Sequence, residues 1–198
     1  MFKSTYDNIM YLRIILNAYN FRHSIKDKYF TCLVCHPNEE IVLTGDNLGR
    51  IILWQNLDKK PVKTIYHWHN MPVNTIAFSA SGTSFYSGAS ECVLVKWHFE
   101  DTNLKQFLPR LPASILQSVV ATDNKYIAVT TQDNAVHILD SHFEKVSLIQ
   151  QLALNKDYSA GIVYDARTNG VVMNSFLGHI QFILQKDASL LYNVSVCF

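Results

Sequence analysis

The string Cys32-Leu33-Val34-Cys35-His36 has the C-x-x-C-H spacing that attaches haem covalently. On an extended strand, residues three apart point to opposite faces, so these two thiols cannot be presented to one porphyrin. His67-Trp68-His69 sets two imidazoles on one side of an extended segment. With Cys32, Cys35 and His36 they make the strongest metal-ligand set in the chain, although the separation of the two groups is not a zinc-finger spacing. A metal-binding protein built on these five residues is therefore the alternative reading from a different class. For nucleophilic catalysis, Ser79-Ala80-Ser81-Gly82 lacks the G-x-S-x-G frame. Gly161, Gly170 and Gly178 are too widely spaced to cradle a phosphate, and no G-x-x-x-x-G-K-[ST] string exists. Glu39-Glu40 and Glu100-Asp101 fall in expected loops and read as solvated turn residues. No catalytic residue, cofactor or metal is expected, and the chain reads as non-enzymatic.

Composition narrows the remaining classes. Of 198 residues 48% are hydrophobic and 17% charged, with 17 Lys plus Arg against 16 Asp plus Glu. That balance excludes a disordered chain, and it leaves no global basic field to attract a nucleic-acid backbone. The basic residues form short groups, Arg22 with Lys26 and Lys28, Lys59 with Lys60 and Lys63, and Lys105 with Arg110, which read as solvated loops. No run approaches the roughly 20 apolar residues of a membrane-spanning helix, since Arg13 interrupts the stretch from Ile9 to Leu16. Lys3 is followed by Thr5, Tyr6, Asp7 and Asn8 rather than by the apolar run of a secretory signal. Four cysteines, Cys32, Cys35, Cys92 and Cys197, suit reduced thiols, so an intracellular protein is expected and the Asn193-Val194-Ser195 glycosylation string has no role.

The elements that position these residues come from a repeat. The segments beginning at Phe30, Val73, Ile115 and Gly161 recur at a period of about 43, the first two in unbroken register with Gly45 against Gly88 and Trp54 against Trp97. Leu139 and Ile183 take the tryptophan position in the third and fourth copies. Within each copy the pattern is that of strands: Ile41-Val42-Leu43, Ile127-Ala128-Val129 and Val171-Val172-Met173 are β-rich runs, and Ile51 with Leu53 and Val93 with Val95 alternate. Gly49, Asn134 and Gly178 hold one turn position, where a tight hairpin needs a residue that tolerates positive φ. Cys92 holds it in the second copy and departs from that preference. Connectors at Val62 to Tyr66, Leu104 to Leu108, Lys145 to Gln151 and Leu190 to Val194 supply a fourth strand, and four strands per copy make a propeller blade. The expected architecture is all-β: residues 1–29 as the end of a preceding blade and a linker, then blades at about 30–70, 71–112, 113–157 and 158–198.

His69, Phe78-Ser79, Ser81-Gly82, Ser87-Gly88 and Trp97 resemble the WD repeat. The resemblance implies a buried hydrogen-bond set within a blade, carried here by His69, Ser87, Glu91 and Trp97, with Glu91 standing where that repeat has an aspartate; Trp54, Gly45, Gly49 and Gly88 complete the structural set. Further strings, His36-Pro37, His67-Trp68-His69, Phe107-Leu108-Pro109-Arg110-Leu111, Asp165 with Arg167-Thr168, and Gly178-His179 with Gln181-Phe182, are similar to the WD repeat-containing protein 75 family over about Phe30 to Asn193. That resemblance implies a nucleolar scaffold subunit of the small-subunit processome, with tandem propellers, needed for pre-ribosomal RNA transcription and processing. Its implied partners are other WD-repeat assembly factors, with pre-ribosomal RNA contacted indirectly. A WD-repeat adaptor of another complex, such as a ubiquitin ligase, is the alternative within the same class. Because such a propeller closes with about seven blades, four visible blades are expected to be part of a larger ring and, isolated, to self-associate through open blade faces.

Overall fold

The computed structural model describes residues 28–149 and the strand segments 4–6, 9–14, 17–22, 162–165, 170–174, 179–184 and 190–195, with side chains placed for 28–145, 148, 162–164 and 170–172. Among the described residues, every regular element is a strand, and the strands form five antiparallel meanders. The first has three strands, β1 (Ser4–Tyr6), β2 (Ile9–Ile14) and β3 (Asn17–Arg22). Blade 1 comprises β4 (Phe30–Cys35), β5 (Val42–Asp46), β6 (Arg50–Gln55) and β7 (Val62–His67). Blade 2 comprises β8 (Val73–Phe78), β9 (Ser84–Ala89), β10 (Leu94–His98) and β11 (Lys105–Phe107). Blade 3 comprises β12 (Ile115–Val120), β13 (Tyr126–Thr131), β14 (Val136–Asp140) and β15 (Lys145–Ile149). Blade 4 comprises β16 (Ile162–Asp165), β17 (Gly170–Asn174), β18 (His179–Leu184) and β19 (Leu190–Ser195).

The middle strands of blades 1 and 2 are buried on both faces, and neighbouring blades supply the cover at the 1–2, 2–3 and 3–4 interfaces. All five residues of β5 and all six of β9 are buried. One core cluster joins Leu43, Ile51 and Tyr66 of blade 1 to Phe85, Val95 and Trp97 of blade 2. Another joins Tyr86 and Leu94 of blade 2 to Ile127, Val129 and Leu139 of blade 3, and a third joins Ile138 of blade 3 to Ile162 and Val171 of blade 4. Burying one such side chain contributes about 1.5–3 kcal/mol, so the blade-to-blade faces are the main store of stability.

Two backbone features recur at the sequence period. The pairing of the first two strands of a blade shifts register between Phe30 and Cys32, between Val73 and Thr75, and between Ile115 and Gln117. An extra residue in a strand turns its side chain out of the alternation, and here it reaches the next blade. Thr31 Oγ1 donates to the carbonyl of Val73, and Asn74 Nδ2 donates to the carbonyl of Ile115 at 2.7 Å. The second feature is the turn before the third strand, where Gly49, Cys92 and Asn134 have φ of 82°, 70° and 58°. Cys92 thus adopts the left-handed conformation despite carrying a Cβ, because the repeat geometry overrides the preference of the residue. The corresponding Gly178 lies outside the described residues.

Candidate functional site

The polar residues that the sequence places in one network do converge in blade 2. His69 precedes β8, Ser87 lies on β9, Glu91 in the β9–β10 turn and Trp97 on β10. Trp97 Nε1 donates to Ser87 Oγ at 2.8 Å, and Ser87 Oγ lies 2.7 Å from His69 Nε2. On the other side of the ring, His69 Nδ1 contacts Glu91 Oε1. One proton arrangement satisfies the whole chain: Nδ1–H donates to the carboxylate, the serine hydroxyl donates to Nε2, and the indole N–H donates to the serine oxygen. Glu91 reaches His69 despite its extra methylene, but its other oxygen, Oε2, is buried without a partner.

A serine, a histidine and an acid in that order have the connectivity of an acyl-transfer triad. Here the hydroxyl serves a different end. Ser87 and His69 are both 0% exposed, and the indole N–H already occupies the serine oxygen, so the hydroxyl faces no space in which a carbonyl could be attacked. What the set does physically is tie the segment before β8 to the blade's second and third strands through buried bonds, each costly to leave unmade.

The other structural positions fall into place around it. In blade 1, Trp54 Nε1 donates to Thr44 Oγ1 at 2.9 Å, the counterpart of the indole–serine bond. Thr44 and Asp46 were not singled out by the sequence pattern, although Thr44 stands one repeat before Ser87. Asp46, fully buried, accepts from the backbone N–H groups of Leu48 and Arg50 and from Arg50 Nε, each at 2.9 Å. That set fixes the turn containing Gly49, where a Cβ would lie 2.1 Å from the carbonyl oxygen of His69. Gly45 and Gly88 stand where a middle strand meets the next blade; a Cβ at Gly45 would come 2.6 Å from Cys32 Sγ of its own blade and 2.9 Å from Val73 of the next, and one at Gly88 would come 2.4 Å from Ile115 of the next. Blade 3 has lost both the hydroxyl and the indole of this set. Val129 occupies the Ser87 position with Leu139 in place of tryptophan, and the neighbouring Thr130, at the Gly88 position, has its Oγ1 buried and unpaired.

The five cysteine and histidine residues considered for a metal are dispersed. Cys32 belongs to the cluster facing blade 2, whereas Cys35 packs into a separate cluster around Trp54, as alternation along β4 requires. Burial pushes the Cys35 thiol pKa up, so it is held as a neutral thiol. His36 accepts at Nδ1 from the N–H groups of Asn38 and Glu39, and its Nε2 faces the carbonyl of Gly82 at 3.2 Å. His67 is exposed on β7. Among the described residues, no three His, Cys, Asp or Glu side chains gather to hold a metal ion.

Two strings outside the repeat template meet in space. Trp68 of His67-Trp68-His69 lies on Phe107 of Phe107-Leu108-Pro109-Arg110-Leu111, with ring centroids 4.5 Å apart. Both rings are partly exposed, at 38% and 41%. They join the segment that follows the outer strand of blade 1 to the outer strand of blade 2.

The family model for the first β-propeller of WD repeat-containing protein 75 matches residues 5–134. WD repeat-containing protein 75 of Mus musculus is 36% identical over 169 residues, which cover 84% of this chain and 20% of the mouse protein. U3 small nucleolar RNA-associated protein 17 of Schizosaccharomyces pombe is 39% identical over 96 residues, 48% of this chain and 12% of the yeast protein. In three dimensions, a chain from the crystal structure of the mitotic checkpoint complex superposes with a TM-score of 0.82, covering 95% of this chain and 58% of its own, at 11% identity; that is a likeness of fold alone. The chain spans 20% to 22% of the length of the vertebrate relatives it matches. The family match begins well before Phe30, where the repeat becomes legible, because the preceding strands carry no tryptophan or Ser-Gly landmark.

Proposed function

From a chain that belongs to the WD repeat-containing protein 75 family, within its first β-propeller, we propose a non-enzymatic scaffold of ribosome biogenesis that acts among the WD-repeat subunits of the small-subunit processome in the nucleolus. The observation that carries this reading is the identity to that protein across most of the chain, joined to the relative whose name ties it to the U3 small nucleolar RNA. The chemistry of the described site agrees with it. The polar residues at the repeat positions are consumed in buried structural bonds, and what the chain offers outside is rigid blade edge and loop. With a formal charge of +1, the chain has no basic field of its own, so pre-ribosomal RNA is held through partners. A role in pre-ribosomal RNA transcription as well as processing completes the proposal.

Affinity purification of the tagged chain from nuclear extract, with and without ribonuclease, tests it. Early small-subunit assembly factors should be recovered and should persist after ribonuclease treatment. Loss of every such protein on ribonuclease treatment would replace protein-mediated docking with direct RNA binding, and recovery of an unrelated complex instead would overturn the assignment. Depletion followed by pulse labelling of nascent pre-ribosomal RNA separates transcription from processing, since the first lowers total label and the second accumulates precursor.

A further inference from the structure

A cavity of about 620 Å³ opens between blades 1 and 2, within the size range of ligand sites. Blade 1 supplies one wall, from β6, β7 and the β4–β5 loop; the β8–β9 turn and the 98–102 segment of blade 2 supply the other. The two walls are joined rigidly, because Tyr66 of β7 donates its hydroxyl hydrogen to the carbonyl of Phe99 at 2.6 Å.

Among the residues lining this cavity, which include the exposed His98, the permanent charges have one sign. Glu39 on the blade 1 side and Glu100 on the blade 2 side are the two carboxylates of its lining, both exposed to solvent, and no lysine or arginine stands among the lining residues. His36 adds no cation: its Nδ1 accepts two backbone hydrogens, which leaves the neutral ring with its hydrogen on Nε2, toward Gly82. A further acid, Asp101, adds to the same field. The Tyr66 hydroxyl is held above its ordinary pKa by burial and then by the charge of Asp101. The cavity is also lined by flat rings, since Tyr66, Phe99 and His36 border it and the His36 and Phe99 rings lie 5.1 Å apart. The amide of Gln55 and the carboxylates add acceptors to the same lining.

Acidic groups on opposite walls, planar rings and neutral acceptors match a guanidinium, which is planar, always charged, carries five N–H donors and stacks on rings. We propose that the cavity between blades 1 and 2 is a binding site for an arginine side chain carried on an extended segment of a partner protein. A phosphate-bearing ligand meets like charge on both walls, and two carboxylates on separate walls are too few to hold a metal ion. The proposal stands on the chemistry of the cavity and is independent of which assembly the chain joins.

The test uses the full chain and three synthetic peptides, acetylated and amidated Gly-Arg-Gly-Arg-Gly and its lysine and alanine counterparts, titrated by calorimetry and by NMR. The arginine peptide should bind and shift the resonances of residues 36–40, 64–66 and 98–102. The lysine peptide should bind at least threefold more weakly, because an ammonium neither stacks nor forks, and the alanine peptide should not bind. Glu39→Gln with Glu100→Gln should weaken the arginine peptide at least tenfold, while Glu144→Gln, an exposed acid of blade 3, should leave it unchanged. Equal binding of the arginine and alanine peptides, or arginine binding indifferent to Glu39→Gln with Glu100→Gln, would overturn the site. Equal binding of arginine and lysine peptides would overturn the guanidinium assignment. Both glutamates are exposed, so their substitution leaves the core intact, and an unchanged unfolding midpoint checks that.

Discussion

Ser87 and Thr130 each bring a hydroxyl into the second strand of a blade, one position apart in the repeat, yet one links a histidine to a tryptophan and the other is buried with no partner. The same removal should therefore have opposite signs. Ser87→Ala leaves His69 Nε2 and the Trp97 indole N–H buried and unpaired, each costing about 1–3 kcal/mol, so a loss of about 2–4 kcal/mol is expected in urea unfolding. Thr130→Val keeps the shape and removes an unpaired polar atom, and should gain about 1 kcal/mol; a loss of similar size in both variants would contradict this account. Cys92 offers a second gain. Its φ of 70° costs a residue with a Cβ about 1–2 kcal/mol that glycine does not incur. After the greater flexibility of unfolded glycine is subtracted, Cys92→Gly should raise stability by about 1 kcal/mol, read as a higher urea midpoint. His137 adds a pH dependence. Burial lowers its pKa below the ordinary 6.5, Asp133 opposes that shift and Lys145 adds to it. The unfolded chain takes up the proton as pH falls through about 6.5, while the folded chain resists it, so this group costs nothing above that value and subtracts stability from there down to its folded pKa. The urea midpoint should fall between pH 7.5 and pH 5.5, and the fall should shrink in His137→Gln; an identical fall in both proteins would assign the effect elsewhere.

At the scale of the elements, contacts between blades carry most of what the repeat cannot express by itself. Trp68 directly follows the outer strand of blade 1 and Phe107 ends that of blade 2, and their tilted ring contact should couple the two blades by about 0.5–1.5 kcal/mol. A double-mutant cycle of Trp68→Ala and Phe107→Ala measures that coupling, and strictly additive losses would mean the rings share only proximity. The strands and their order were legible because hydrophobic runs and turn residues recur at a fixed period, as with Val42-Leu43, Phe85-Tyr86 and Ile127-Ala128. The blade 2 network was legible because His69, Ser87 and Trp97 match a known repeat. The bulges at Thr31 and Asn74 were not, since one extra residue in a strand leaves no mark in composition and the bonds it makes are to the next blade. Asp46 was hidden for a related reason: its position holds Ala89 in the next copy, so no recurrence flags it. Nor could the cavity between Glu39 and Glu100 be read from the chain, because its two acids belong to loops 61 residues apart in sequence, each unremarkable by itself.

For the molecule as a whole, stability is approximately a row of blade terms and nearest-neighbour interface terms. Blade 2 lies between the two largest described apolar clusters, toward Leu43 and Ile51 in blade 1 and toward Ile127 and Val129 in blade 3, whereas blade 3 meets blade 4 through a smaller one. Its first strand is also bonded to both neighbours. Thr31 donates to the carbonyl of Val73 on one side, and Thr75 Oγ1 lies 3.0 Å from Ser118 Oγ on the other. To open blade 2 alone therefore exposes two apolar faces and breaks polar links on both sides, whereas a blade at the end of the row opens at the expense of one interface. Native-state hydrogen exchange should accordingly find the slowest amides on β8, β9 and β10, and their opening should coincide with opening of the facing strands of blades 1 and 3. Ser87→Ala should then lower protection in all three blades together rather than in blade 2 alone. If blade 2 amides instead exchanged faster in that variant while β5 and β13 kept full protection, the blades would be independent units and the one-dimensional picture of this chain would fail.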